Sequence, residues 1–448
     1  AAGIGSGNSQ NAGDITIEEG TVNATGGGYV QGNGGGGAGI GGGASGHGGT
    51  VTIDGGNITA QGQGGGAGIG GGSNGYNRET GNGGTVVINN GTVNATGGLQ
   101  GAGIGGGAGD NVGGAGSNIT IYGGNVTAEA HGTLLSGSGA GIGGGFGSND
   151  GGAGSNIQIH GGTVHATGGN LGAGIGGGGG SESGDGTVTI SGGTVTAVGG
   201  NYAAGIGGGG GYQNTYGGGC TGGTGSVTIN GGIVDASSPT DVYYANYKGA
   251  PIGNGGNTTA TATVNKTTGI VFENGAGTVC GDVTLDGSYT VPADYTLNIP
   301  AGASLSGSGT LSGGSAFTTE NLTEDMISVP EDWHYTGEDL TEKIKGAVSL
   351  NGEVTICGQT FTASTDGWEL SVEKVSELEY TVKYTHTGKG TLSKTVTIAR
   401  GQTALSDVVT YKEDGTTPAN TFSVGETIIV KATATFPANN AIMAAAEF

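Results

Sequence analysis

Positive charge is what this 448-residue sequence lacks most: 12 Lys and Arg stand against 35 Asp and Glu, a formal net charge of −23. Arg78 is the single cation before Lys248. Nucleic acid and anionic membrane both demand a cationic surface, so neither is an expected partner, and neutral or cationic ligands remain. The three cysteines, Cys220, Cys280 and Cys357, are too few for a disulfide framework and wrongly spaced for a zinc site. There is no run of 18 apolar residues, so no membrane insertion is expected within this fragment. Nor does a basic-then-apolar leader precede Ala1. The opening Ala-Ala-Gly-Ile-Gly already belongs to a repeat, so the chain reads as a mature or excised fragment.

What the chain has in abundance is glycine, 114 residues. Collagen is excluded by the absence of a strict Gly-X-Y period, and disorder by the regular recurrence of apolar positions. Ala-Gly-Ile-Gly recurs with its isoleucine at Ile40, Ile69, Ile104, Ile142, Ile175 and Ile206, flanked by degenerate copies at Ile4 and Ile252. Between copies lies a module of the form Thr-Val-Thr-Ile, glycine corner, Thr-Val-Thr-Ala, as in 50–60, 187–197 and 226–236. The period, about 30–40 residues, is that of a solenoid coil. Val51 and Ile53, Ile58 and Ala60, and Ala67 and Ile69 define three short strands per repeat, with Thr50, Thr52 and Thr59 on the opposite face. Strands this short have no partner inside their own repeat, so the backbone pairs only if repeats stack. An all-β fold follows, a parallel β-solenoid whose eight Ile-marked rungs, at about 4.8 Å each, extend on the order of 40 Å. Pairs such as Gly55-Gly56, Gly123-Gly124 and Gly192-Gly193 mark its corners.

Composition divides the chain. Residues 1–315 form the solenoid, with an insertion at 238–268 holding Tyr243, Tyr244 and Tyr247 and with terminal coils at 269–313 that finish and cap it. After residue 316 glycine thins and charge rises. Trp368, Tyr380-Thr-Val-Lys-Tyr384 and Lys394-Thr-Val-Thr-Ile398 read as alternating strands of a small β-sandwich over 316–399. A second strand-rich segment, 400–448, is short for an independent sandwich.

The Ala-Gly-Ile-Gly-Gly-Gly repeats, the stretch Gly269-Ile-Val-Phe-Glu273 leading to Gly281-Asp-Val-Thr-Leu285, and Ile-Pro-Ala-Gly-Ala at 299–303 resemble the right-handed parallel β-helix regions of large secreted surface proteins of Gram-positive gut bacteria. The segments from Tyr335 to Ile398 and from Thr421 to Phe436 are similar to the immunoglobulin-like modules that follow such helices. The resemblance implies an extracellular, cell-surface or secreted protein with a carbohydrate-binding or adhesive role. It carries no catalytic residues onto this sequence.

Catalysis is tested residue by residue. A polysaccharide lyase wants a Lys or Arg base and a cationic or calcium-assisted clamp, and the solenoid offers Arg78 beside Glu79. A glycosidase needs two carboxylates about 5–10 Å apart. Equivalent positions at the end of the first module strand are Glu18, Asp54, Asn89, Tyr122, His160, Ser191 and Asn230, of which Glu18 and Asp54 put acids on neighbouring rungs. Both read as solvated turn residues, and His160 and His165 as exposed ladder residues in columns otherwise filled by Ser, Asn, Thr and Asp.

Two binding sites are expected. Asp110-Asn111, Asn149-Asp150, and Glu182 with Asp185 follow successive Ala-Gly-Ile-Gly copies, and oxygens stacked on one edge could hold calcium, although the calcium nonapeptide pattern is missing. Tyr212 and Tyr216 in one loop, and Tyr243, Tyr244 and Tyr247 in the next insertion, offer flat faces for sugar rings, with Asn214 and Asp241 to bond hydroxyls. An alternative role for the tyrosines is to close the end of the solenoid. Outward hydroxyl columns (Thr50, Thr52; Thr187, Thr189; Ser226, Thr228) resemble ice-binding surfaces, but Val87, Asn118, Asn156 and Gln158 interrupt them. The reading that follows is a glycan- or host-surface-binding β-helix on an immunoglobulin-like stalk. A glycoside hydrolase, and a spacer or fibre capable of end-to-end self-association, are the alternatives.

Overall fold

The computed structural model describes residues 1–28, 35–74, 80–132, 137–211, 220–239, 247–300, 302–313, 316–319, 324–330, 333–334, 338–350, 353–356, 359–362, 368–386, 390–399 and 404–435. The chain divides into two compact units, the first made of Ala1–Thr318 with Ile356–Gln359 and the second of Thr319–Thr355 with Thr360–Phe448.

The first unit is a parallel β-solenoid. Its first sheet stacks eight two-residue strands in register, from Ile4–Gly5 through Ile104–Gly105 to Ile252–Gly253. The second sheet stacks eight more, from Asp14–Ile17 to Thr263–Lys266, and the third begins at Thr21–Thr25. All eight Ile-marked rungs are therefore present. The last second-sheet strand, Thr263–Lys266, falls in the Thr-rich part of the 238–268 insertion, where the alternation is too weak to single it out. Inward positions of all three sheets form continuous ladders, such as Ile53, Ile88, Ile121, Ile159, Ile190 and Ile229, which are fully buried. Each such aliphatic side chain contributes roughly 1.5–3 kcal/mol by leaving water.

Glycine brings successive rungs into close contact. In every Ile-Gly strand the glycine has a φ near +130°, and in all but the last, Gly253, a Cβ there would lie about 2 Å from the carbonyl oxygen of the same glycine one rung on. The left-handed region and the missing Cβ are both required here, because any side chain would push the coils apart.

The chain reverses where the sequence pattern reads as continued coiling. Strand Gly269–Glu273 still pairs in parallel with Ile233–Ser237, but Ala276–Cys280 runs antiparallel to it. The cause is the two-residue turn Asn274-Gly275, with φ of 49° and 84°, the Asn-Gly chemistry of a tight hairpin. A second, smaller coil follows: Ala276–Cys280, Asp282–Thr284 and Ser288–Val291 stack on Thr296–Ile299, Ser304–Ser306 and Thr310–Gly313.

The second coil uses the other face of the third sheet. Val271 faces the main core with Val234, while Ile270 and Phe272 share the outward side with Ile233 and Asp235. Directly opposed residues of a pair point to the same side, so Val279, which opposes Ile270, and Gly277, which opposes Phe272, continue that outward side, with Leu297 next to Gly277. Phe272, Val279, Leu297, Val291 and Leu311 are all buried. Strand Gly269–Glu273 thus carries a core on each face. The terminal coils at 269–313 continue the third sheet past the last rung and build a second core on its outward side.

In the second unit an antiparallel sheet of Trp368–Ser376, Glu379–His386 and Gly390–Thr397 packs with helix Thr341–Ala347. Its core includes Ile327, Leu340, Ile344, Tyr380, Val382 and Ile398, and the Tyr380 hydroxyl accepts the Leu340 N–H at 3.0 Å. Strands Ala404–Tyr411 and Ile429–Thr435 pair antiparallel. These small antiparallel sheets are compatible with immunoglobulin-like domains; the helix is an addition that alternation alone does not reveal.

Replacing Gly143 by Ala should destabilise the first unit by roughly 2–4 kcal/mol, since its φ is +135° and its Cβ would meet Gly176 O at 2.0 Å. Gly13→Ala, where nothing lies within 4 Å, should change stability by no more than about 1 kcal/mol. Denaturant melts of the two variants against the parent chain check the contrast.

Candidate functional site

In-register stacking converts a position in the repeat into a column on the surface. Backbone hydrogen bonds from each rung to the one before (Asp54 to Ile17, Asn89 to Ile53, Tyr122 to Ile88, His160 to Ile121, Ser191 to Ile159 and Asn230 to Ile190) place the seven residues from Glu18 to Asn230 in one column at the corner after the second sheet. Thr267 extends it by an eighth. Its members bond along the axis. Asn89 Nδ2 donates to Asp54 Oδ1 at 2.6 Å, His160 Nδ1 lies 2.9 Å from Ser191 Oγ, and Thr267 Oγ1 donates to Asn230 Oδ1 at 2.9 Å.

The fourth and fifth rungs depart from the others. There the hydroxyl pattern of the second sheet's outer face gives way to Asn118, Thr120 and Tyr122 on one rung and Asn156, Gln158 and His160 on the next. Asn118 and Asn156 have φ of 57° and 53°, and the pairing shifts register between Gly154 and Ile157, so each strand carries a bulge. Asparagine tolerates this left-handed conformation better than other residues with a Cβ. The bulges aim the amides outward into a short ladder. Asn156 Nδ2 donates to Asn118 Oδ1 at 2.8 Å and Gln158 Nε2 to Asn156 Oδ1 at 2.7 Å.

At the corner end of the same face the rings of Tyr122 and His160 stack, centroids 5.0 Å apart and planes 13° from parallel. Tyr122 remains 54% exposed. From Asn118 to Tyr122 the face runs about 13 Å at strand spacing. The assembly is a flat exposed aromatic platform beside fixed amide donors and acceptors. It can stack an apolar ring face and bond hydroxyls around it. The sequence signal was the interruption of the Thr columns at Asn118, Asn156 and Gln158, which counts against ice binding and also marks the unusual rungs.

Of the residues expected to bind a sugar, Tyr212, Asn214, Tyr216, Asp241, Tyr243 and Tyr244 lie outside the described residues, and Tyr247 is half-buried. The expected calcium edge is ordered backbone first. Asp150 pairs with Val112 and Glu182, so Asp150 and Glu182 occupy one column. Asn111 O accepts the N–H groups of Asn149 and Asp150 at 2.9 and 3.0 Å, and the Asp110 N–H donates to Asn74 Oδ1 at 2.9 Å. Asp185 belongs to another column, with Asn11, His47 and Asn82, whose side chains all accept a backbone N–H from the following rung; Asp185 Oδ1 takes the Thr224 N–H at 2.7 Å and its hydroxyl at 2.8 Å. Among the described residues no three His, Cys, Asp or Glu side chains form a group able to hold a metal. Glu18 and Asp54 are exposed on adjacent rungs, Asp54 bonded to Asn89.

A second polar feature escaped the sequence reading. Asp235, on the outward side of the third sheet, is half-buried under the second coil and accepts the Tyr295 hydroxyl, 3.0 Å from Oδ2 and 3.3 Å from Oδ1. Phe272 packs against both Tyr295 and Tyr289, with centroids 5.5 and 6.1 Å away. Burial pushes the Asp235 carboxyl above its ordinary 3.8, opposed in part by the Tyr295 hydrogen bond. Its signal was the outward column Thr21, Asn57, Thr92, Asn125, Thr163 and Thr194, which turns apolar at Ile233 and Ile270.

The sequence matches a family model described as a beta helix repeat over residues 47–73, 86–108, 119–146, 157–179 and 188–210. Each matched segment joins a second-sheet strand to the Ile-Gly strand that closes its coil. No curated protein and no solved structure matches the chain.

The raised Asp235 carboxyl has a defined consequence for stability. The folded chain holds that proton more tightly than the unfolded chain, so this contribution is full below pH 3.8 and is lost as pH rises through the higher folded value. Asp235→Asn, which keeps an acceptor for Tyr295, should raise the melting temperature at pH 7. The gain should shrink toward zero on acidification to pH 4 and below, as read by calorimetric scans of both proteins across that range.

Proposed function

We propose that this chain is an extracellular, non-catalytic glycan-binding β-helix, carried by immunoglobulin-like modules at 316–399 and 400–448 as the stalk of a surface protein of the Gram-positive kind its repeats resemble. The observation that carries the reading is the exposed Tyr122–His160 platform set in line with the Asn118–Asn156–Gln158 amide ladder. Aromatic faces bind the apolar face of a pyranose, and fixed amides bond its hydroxyls. A backbone that stacks in register keeps these groups in place before any ligand arrives, so little side-chain freedom is lost on binding. The net charge of −23 favours neutral or cationic glycans over uronates and sulfated chains.

The test is a glycan array on the whole chain, with and without calcium, followed by product analysis of each bound glycan. Neutral glycans should bind and be recovered uncleaved, and Tyr122→Ala should weaken binding about tenfold, the loss of roughly 1.4 kcal/mol of ring stacking and burial. Cleaved product would instead bring Glu18 and Asp54 forward as a hydrolase pair. Silence on every glycan would leave a spacer or a protein-binding role.

A further inference from the structure

The second coil does more than bury the outer face of the third sheet: it overhangs it. Between them lies a cleft of about 300 Å³, floored by Thr194, Ile233 and the corner glycines Gly193 and Gly232, and roofed by residues 283–289. That volume is at the lower end of the range for small-ligand pockets, roughly 300–1,000 Å³. Its lining includes the apolar residues Ile233, Val283 and Leu285. The same lining includes the polar residues Thr194, Thr284, Asp286, Ser288 and Tyr289. Gly193 and Gly232, with φ of 84° and 82°, turn the chain at the floor and lie close against the backbone of the preceding rung. The roof is held by the Phe272, Tyr289 and Tyr295 rings and by the Tyr295–Asp235 hydrogen bond.

We propose that this cleft binds a single neutral hexopyranose, the terminal residue of a glycan, with its apolar face on the aliphatic lining residues and its hydroxyls on the polar ones. The chemistry matches in three respects. A pyranose is apolar on one face and hydroxylated around its edge, and the lining offers partners of both kinds. The Tyr289 phenol, pushed up to about 12 by burial first and by Asp235 and Tyr295 next, stays protonated near neutral pH and so keeps its donor. Asp286 on the rim and Asp235 behind it repel carboxylated or sulfated sugars. An open platform reads the side of a glycan chain, whereas a cleft roofed on one side admits an end. This site extends the glycan reading to a second place and rests on none of the residues of the Tyr122–His160 platform.

The experiment uses the whole chain and saturation-transfer NMR with methyl hexopyranosides and the corresponding methyl hexuronides as probes. Measured in a Tyr122→Ala background, which removes the platform, neutral hexosides should still give saturable binding, and Thr194→Trp, which fills the cleft from its floor, should weaken it more than tenfold. Gly287→Trp, at a roof position where an added Cβ meets nothing within 4 Å, should do the same, so a folding defect in either variant alone does not decide the outcome. Hexuronides should bind at least tenfold more weakly than hexosides, and Asp286→Asn should narrow that gap. Hexoside binding unchanged in both blocked variants, or lost in Tyr122→Ala instead, would overturn the proposal, as would the absence of any hexoside binding. Failure of the cleft test with a positive glycan array that depends on Tyr122 would leave the platform reading standing by itself.

Discussion

Close approach of glycine to the carbonyl oxygen of the next coil is the constraint on which the rest of this molecule depends. In the Ile-Gly strands, position after position, there is no room for a Cβ between successive coils. This fixes the spacing and register of the first sheet on all eight rungs, and the buried Ile, Val and Ala ladders then fall directly over one another. Hydrophobic burial supplies the driving force, but it is not directional. The glycines decide where each coil stops sliding, and so make the inner ladders and the outer columns consequences of one repeat.

That register explains how a few substitutions can build a surface. A residue changed in one rung meets its counterpart about 4.8 Å away, close enough for amides to bond and rings to stack. Tyr122 and His160 therefore form a pair although 38 residues separate them, and Asn118 and Asn156 bond across the same interval. The bulges at those asparagines do not disturb the core, because Ile119 and Ile157 remain fully buried and in register. Variation on the outer face is decoupled from packing within, which is the condition a binding surface needs if it is to change without unfolding its support.

Legibility in the sequence followed the same division. Period, rung number, inward and outward parity and the column from Glu18 to Asn230 were all readable, because each depends on local alternation repeated many times. The reversal at Asn274-Gly275 was not read, although the dipeptide is a strong hairpin signal, because the flanking strands also fit coil-like spacing. The second core went unread for a related reason. Ile233, Ile270 and Phe272 look like irregular rung residues until the chain is known to fold back over their outward side. The Asp185 carboxylate, expected at a calcium edge, belongs to a column of rung-to-rung acceptors, a distinction that depends on which backbone N–H lies above it. The tyrosines of the 212–216 and 241–247 loops fall almost wholly outside the described residues, so the aromatic surface that can be described is the one at Tyr122 and His160.

The doubly buried strand Gly269–Glu273 also makes the first unit modular in length. Everything after it is registered to that strand, while everything before it is a stack of equivalent coils. Gain or loss of one repeat in the stack would leave the seam, the hairpin and the overhanging coil unaltered, and would shift them along the axis by a single rung against whatever lies at the far end. The platform on the fourth and fifth rungs and the cleft at the sixth and seventh are thus two marks on a ruler. Their separation is set in whole coils, and it can be adjusted in evolution by duplication alone, with no new packing to invent.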